Sequence, residues 1–133
     1  MRIIAGKFGG KKLVSPNNNS IRPTSDRVRE ALFNIIASRL NMDFCATRVL
    51  DLFAGTGAFG LEAISRGAKE AVLVDSGIEA RGLIRTHIET FGLGAQARLL
   101  RRSALSLGQL SKMDPFNLVF CDPPYGQGLG EQA

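Results

Sequence analysis

Near the end of the sequence, the apolar run Leu118-Val119-Phe120 leads through Cys121 into Asp122-Pro123-Pro124-Tyr125. Proline lacks the N–H that a sheet ladder needs, so one proline is enough to end a strand. The acid before the pair and the ring after it call for a chemical reason. An exocyclic amino group on a nucleobase is a poor nucleophile, because its lone pair is delocalised into the ring. A carboxylate and a backbone carbonyl placed around that NH2 favour a more tetrahedral nitrogen and aim its lone pair at an electrophilic methyl group. Asp122 supplies the carboxylate. The carbonyl of Pro123 is kept rigid by the proline rings and out of any ladder. Tyr125 offers a stacking face for a base taken out of its helix.

A second constellation lies upstream. Asp51-Leu52-Phe53-Ala54-Gly55-Thr56-Gly57-Ala58-Phe59-Gly60 contains the pattern G-x-G-x-x-G, and Asp75 stands 20 residues after the first glycine. Glycines let a backbone turn tightly and approach a ligand, and an acid at the next strand end accepts hydrogen bonds from ribose hydroxyls. Any adenosine-bearing cofactor satisfies that pattern. Asp51 narrows it. A carboxylate four residues before the first glycine repels an incoming pyrophosphate and favours a cationic ligand, such as the sulfonium and ammonium of S-adenosylmethionine (AdoMet). Hydride transfer to or from NAD has no evident use for Asp122-Pro123-Pro124-Tyr125.

These residues need elements to position them. From residue 48 onward, strand and helix patterns alternate: a strand over 48–53, a helix over 58–67, a strand over 70–75, a helix over 77–92, a weaker strand over 97–101, a short helix near 104–110 and a strand over 116–122. That rhythm predicts an α/β, Rossmann-like parallel sheet with crossover helices. Ligands in such sheets bind outside the carboxyl ends of the strands, where Asp51, the glycine loop, Asp75, Ser103 and Asp122 all fall. Before the sheet, residues 1–16 read as a hairpin turning at Gly6, Gly9 and Gly10, with Lys7, Lys11 and Lys12 crowding its tip. A helix follows, capped by Thr24 or Ser25, with Asp26 in its first turn and Val28, Leu32, Ile35 and Ile36 forming its apolar face.

The sequence of 133 residues carries a net charge of +5. Residues 1–50 hold nine Lys/Arg against three Asp/Glu, and residues 51–133 hold eight against nine, so the excess is N-terminal, where it suits a polyanionic partner. Cys45 and Cys121 have no Cys or His cluster around them, which points to reduced cytosolic thiols and to no metal site. No segment has the apolar length of a signal peptide or a membrane span. His87, between Ile84 and Ile88, is expected to pack rather than to catalyse. A single domain is expected: a basic hairpin extension over 1–20 and a cofactor-binding core over 21–133.

The stretch from Val49 to Gly67, with the Asp122-Pro123-Pro124-Tyr125 run, resembles the class I AdoMet-dependent methyltransferases of amino groups. Residues 2–13 and 22–36 look specifically like the RsmD family, bacterial enzymes that methylate guanine N2 in 16S ribosomal RNA. The resemblance covers residues 1–125. It implies a cofactor set of Asp51, Phe53, Gly55, Thr56 and Gly57 at the methionine end, Asp75 at the ribose, and Ser103 with Ala104 at the adenine. It implies Asp122, Pro123 and Tyr125 as the clamp on the target amino group, and Arg2, Lys7, Lys11, Lys12 and Arg22 along RNA phosphates. The partner it implies is 16S rRNA or an assembling small subunit in the cytoplasm, with no membrane and no metal.

Two departures accompany the resemblance. Ser103 stands where relatives often carry an Asp or Asn, which weakens the adenine contact. The family fold also continues past the proline pair with three more strands, whereas the sequence stops at Ala133. The C-terminal strands are therefore expected to be absent and the fourth strand to be an apolar edge: either the sequence is a fragment of a longer protein, or another chain covers that edge, as in self-association through it. Rival readings are an amino methyltransferase acting on DNA adenine or on a protein glutamine, a non-catalytic nucleic-acid or nucleotide-binding module, and an NAD-binding protein.

Overall fold

The computed structural model describes residues 1–14, 25–40, 44–100 and 116–121. Four parallel strands form one sheet: β1 (Arg48–Asp51), β2 (Glu70–Val74), β3 (Ala97–Leu100) and β4 (Leu118–Phe120), in the order β3-β2-β1-β4. Helices α2 (Ala58–Ser65) and α3 (Ile78–Thr90) make the crossovers from β1 to β2 and from β2 to β3. After β3 the chain returns to the other side of β1. The sheet therefore reverses its winding between β1 and β4, and that switch point is where open α/β sheets form their ligand crevice.

The central strands β1 and β2 carry apolar residues on both faces, as a covered parallel sheet requires. Val49, Ala71, Leu73 and Phe120 face a core built with Leu61 and Ile64 of α2 and Ile84 of α3. Leu50, Val72 and Val74 face the opposite side with Leu52, Leu100 and Phe116. α2 lies very close to the sheet. A Cβ on Gly60 would stand 2.2 Å from Leu73 Cδ2, so the third glycine of the G-x-G-x-x-G pattern serves helix–strand packing.

The expected hairpin is present, with Arg2 bridged to Lys12 in antiparallel fashion and mutual bonds between Ile3 and the Gly10–Lys11 segment. One detail differs from expectation. Lys12 stands opposite Arg2 in the returning strand instead of at the tip. The turn is packed against the helices: Lys7 N–H donates to the Ser65 carbonyl, and Phe8 packs its ring 5.2 Å from that of Phe91. The hairpin lies down on α2.

Helix α1 (Asp26–Leu40) starts where expected, with Ser25 Oγ accepting the Val28 N–H at 3.2 Å. Its buried face needs correction. Val28 and Ile35 are 54% and 53% exposed, while Arg29 and Phe33 are fully buried and Leu32 and Ile36 are half-buried. Hydrophobicity counts Arg29 as polar, but ion pairs make it a core residue. Its guanidinium lies 2.8 Å from Asp26, donates to the Arg2 carbonyl and sits 3.5 Å from Glu62. Among the described residues no helix is long and apolar enough to cross a membrane.

Candidate functional site

The loop after β1 is shaped by backbone conformations that few residues adopt. Gly57 caps α2 with φ 83°, in the left-handed region, and an added Cβ would press on Ile84 at 3.2 Å. Phe53 also has a positive φ, 50°, which costs a non-glycine residue about 1–3 kcal/mol and is typical of functional loops. The loop is stitched to both neighbouring strands. Leu52 N–H donates to the Phe120 carbonyl of β4, and Ala54 N–H to the Val74 carbonyl of β2, each at 2.9 Å.

Two carboxylates frame this loop. Asp51, at the end of β1, is 3% exposed, and its Oδ2 accepts the N–H of Gly60 in the first turn of α2 at 3.3 Å. Negative charge there matches the positive end of the helix. Asp75, just beyond β2, is half-buried. Its Oδ2 accepts the Gly55 N–H at 2.9 Å and its Oδ1 the Gly77 N–H at 2.8 Å. Asp75 thus ties the loop after β2 to the glycine loop, a connection that spacing alone did not reveal. Each Asp75 oxygen keeps lone-pair capacity for a further donor. Ile78, three residues on, is 82% exposed and offers an apolar surface beside Asp75.

The structure therefore brings Asp51, Phe53, Gly55, Thr56, Gly57 and Asp75 together at the carboxyl ends of β1 and β2. β4 ends level with them, since Asp51 pairs with Phe120 in register. The Phe120 ring stacks 4.8 Å from Phe59 of the glycine pattern and lies 5.5 Å from Phe33 of α1. Ser103, Ala104, Arg22 and the clamp residues Asp122, Pro123 and Tyr125 lie outside the described residues. Arg2, Lys7, Lys11 and Lys12 are exposed along the hairpin. Among the described residues no group of three or more His, Cys, Asp or Glu could hold a metal ion. An open cleft of about 520 Å³ lies between hairpin and α1, lined by Arg2, Ile4, Asp26 and Glu30 among others, and none of its lining residues belongs to the glycine loop or the strand ends.

Sequence reasoning missed the residues that seat the hairpin. Glu62, on α2 and fully buried, accepts the Ile4 and Ala5 N–H groups at 2.8 and 3.1 Å and pairs with Arg66 at 2.9 Å. Ser65 Oγ accepts the Phe8 N–H at 2.9 Å and donates to the Ala5 carbonyl at 2.6 Å. The signal was a glutamate and a serine on a helix otherwise apolar all round. Around Asp26, burial pushes the carboxyl up, but the Arg2 N–H and the Arg29 guanidinium together hold it below its ordinary value.

Comparison with known proteins agrees with this architecture. The family model "Conserved hypothetical protein 95" matches residues 1–133. Ribosomal RNA small subunit methyltransferase D of Escherichia coli K12 is 41% identical over all of this chain and 64% of its own length. The protein of the same name from Haemophilus influenzae is 37% identical, over all of this chain and 68% of its own. The chain thus spans about two thirds of the length of these relatives. A solved E. coli structure, provisionally assigned as a methyltransferase, superposes with a TM-score of 0.83 at 40% identity, covering 99% of this chain and 68% of that one. With a parallel sheet of this order and a family match along its whole length, the chain belongs to the conserved hypothetical protein 95 family, that of the RsmD-type small-subunit rRNA methyltransferases.

Proposed function

We propose that this protein transfers a methyl group from AdoMet to the exocyclic N2 amino group of a guanine in 16S rRNA. The observation that carries the reading is the meeting of Asp51, Asp75 and the glycine loop at the β1–β4 switch point, level with the strand end that leads into Asp122-Pro123-Pro124-Tyr125. The names of the relatives, small-subunit rRNA methyltransferases, support the substrate class.

The residues present suit AdoMet. Asp51, a buried carboxyl at the loop, is ill placed for a pyrophosphate and complements a cationic methionine end. Asp75, half-buried, has oxygens to spare for ribose hydroxyls. When bound, AdoMet supplies a methyl group activated by a positively charged sulfur. Phe53, Gly55, Thr56 and Gly57 line its path, and Ser103 and Ala104 border the adenine.

The acceptor side is Asp122, the Pro123 carbonyl and Tyr125. The two oxygens hold the guanine amino group and orient its lone pair, and Tyr125 stacks on the base. The nitrogen loses its proton late, to Asp122 or to water, so no histidine base is required. Arg2, Lys7, Lys11, Lys12 and Arg22 meet the phosphates of the RNA or of an assembling subunit in the cytoplasm. A single domain over 1–133, with its 1–20 hairpin, unites both functions.

Calorimetric titration with S-adenosylhomocysteine and with NAD tests the cofactor side. We expect binding of the first alone. Binding of NAD in preference would overturn the reading.

A further inference from the structure

The hairpin and the glycine loop meet at one imidazole. His87 on α3 is 2% exposed, and both of its ring nitrogens are engaged. Nε2 accepts the Val14 N–H at 2.8 Å, and Nδ1 lies 3.0 Å from the Thr56 carbonyl. An N–H can only donate and a carbonyl can only accept, so the proton sits on Nδ1 and the ring is neutral. Burial, only partly offset by the Thr56 bond, lowers the pKa of His87 and keeps it so.

The far side of Thr56 touches the hairpin again. Thr56 Oγ1 donates to Met1 Sδ at 3.8 Å, and the Leu13 N–H donates to the Met1 carbonyl at 3.0 Å. The two ends of the hairpin therefore converge on one loop residue, Met1 directly and Val14 through His87. Thr56 stands between Gly55, whose N–H is held by Asp75, and Gly57, which opens α2. Phe91 stacks near both His87 and Phe8, so the hairpin tip leans on the same cluster.

We propose that His87 is a positioning residue that couples the hairpin to the cofactor loop, so that RNA on the hairpin lysines and cofactor on the loop strengthen each other's binding. The inference rests on the function proposed above. Seating the hairpin fixes Val14, Val14 fixes the imidazole, and the imidazole fixes the carbonyl between Gly55 and Gly57. Thermodynamic linkage makes the effect reciprocal, with couplings typically of about 5- to 150-fold.

The test is S-adenosylhomocysteine titration with and without a short guanine-containing RNA stem-loop, for the wild type, His87→Phe and His87→Gln. RNA should tighten S-adenosylhomocysteine about fivefold or more in the wild type. Gln can accept from Val14 and donate to Thr56, so it should keep the coupling. Phe should abolish it. A merely structural role would shift both affinities and leave their ratio alone. Equal coupling in His87→Phe and wild type, or none in the wild type, overturns the proposal. Amide exchange at Val14 in the wild type needs no variant. S-adenosylhomocysteine should slow it severalfold, and unchanged exchange despite binding overturns this inference alone. Failure of S-adenosylhomocysteine to bind the wild type overturns the cofactor reading and the coupling together.

Discussion

Asp75 holds Gly55 through a 2.9 Å hydrogen bond from the Gly55 N–H to Oδ2, joining the end of β2 to the loop that follows β1. One carboxylate thus shapes the glycine loop, and in the proposed function it also receives the ribose hydroxyls. Asp75→Ala should weaken S-adenosylhomocysteine binding by about 1.5–3 kcal/mol, the range for hydrogen bonds to a charged group. Calorimetric titration measures this, and unchanged affinity would remove Asp75 from the ribose contact.

Glu62 is the anchor of the hairpin. Replacing it by Leu removes the carboxylate that pairs with the Arg29 and Arg66 guanidinium groups and accepts the Ile4 and Ala5 N–H groups. Breaking a buried ion pair from one side costs about 3–5 kcal/mol. Urea unfolding should show a loss of that size. A variant as stable as the wild type would mean that the hairpin is seated by its apolar contacts alone.

The pH dependence of stability follows from His87. Its folded-state pKa lies below the ordinary 6.5, because burial disfavours the imidazolium. The native state then binds fewer protons than the unfolded chain as pH falls below 6.5. Stability is therefore fully present above that value and is lost progressively from there down through the lower folded-state pKa. The lowered Asp26 acts separately, with stability lost only as pH falls below 3.8 and through its folded value. Urea midpoints on either side of pH 6.5 should differ in the wild type and much less in His87→Gln. An identical acid sensitivity in that variant would assign the effect to another group.

Lys7, Lys11 and Lys12 are exposed on the hairpin. Neutralising all three should weaken RNA binding whatever the sequence and lower the salt slope by about 2, at roughly 0.7 per phosphate contact on single strands. Binding isotherms over a range of salt concentrations read this directly. An unchanged slope would leave the three lysines as a solvated face.

Much of this was legible in the sequence. Strand–helix alternation pointed to the parallel sheet, and Val49, Leu50 and Val72 through Val74 are apolar on both faces as a covered sheet demands. The placement of Asp51, the glycines and Asp75 at neighbouring strand ends was legible because strand–helix alternation fixes it, whereas the bond from Gly55 to Asp75 was not. The buried face of α1 was not, since Arg29 enters the core with partners at Asp26, Arg2 and Glu62 that are remote or polar. The seating of the hairpin on Glu62, Ser65 and His87 was hidden for the same reason. These are contacts across 57 to 73 residues, made to backbone groups whose availability no side-chain pattern records.

The most direct test of the proposed function is transfer of tritium from labelled AdoMet to ribosomal subunits, naked RNA and DNA, followed by analysis of the labelled nucleoside. Label should appear in N2-methylguanosine of small-subunit RNA, and Asp122→Ala should lower it by a large factor while S-adenosylhomocysteine binds with little change, because the acid acts on the acceptor. Label in adenine or in DNA, or an Asp122→Ala variant that transfers at the wild-type rate, would contradict the account.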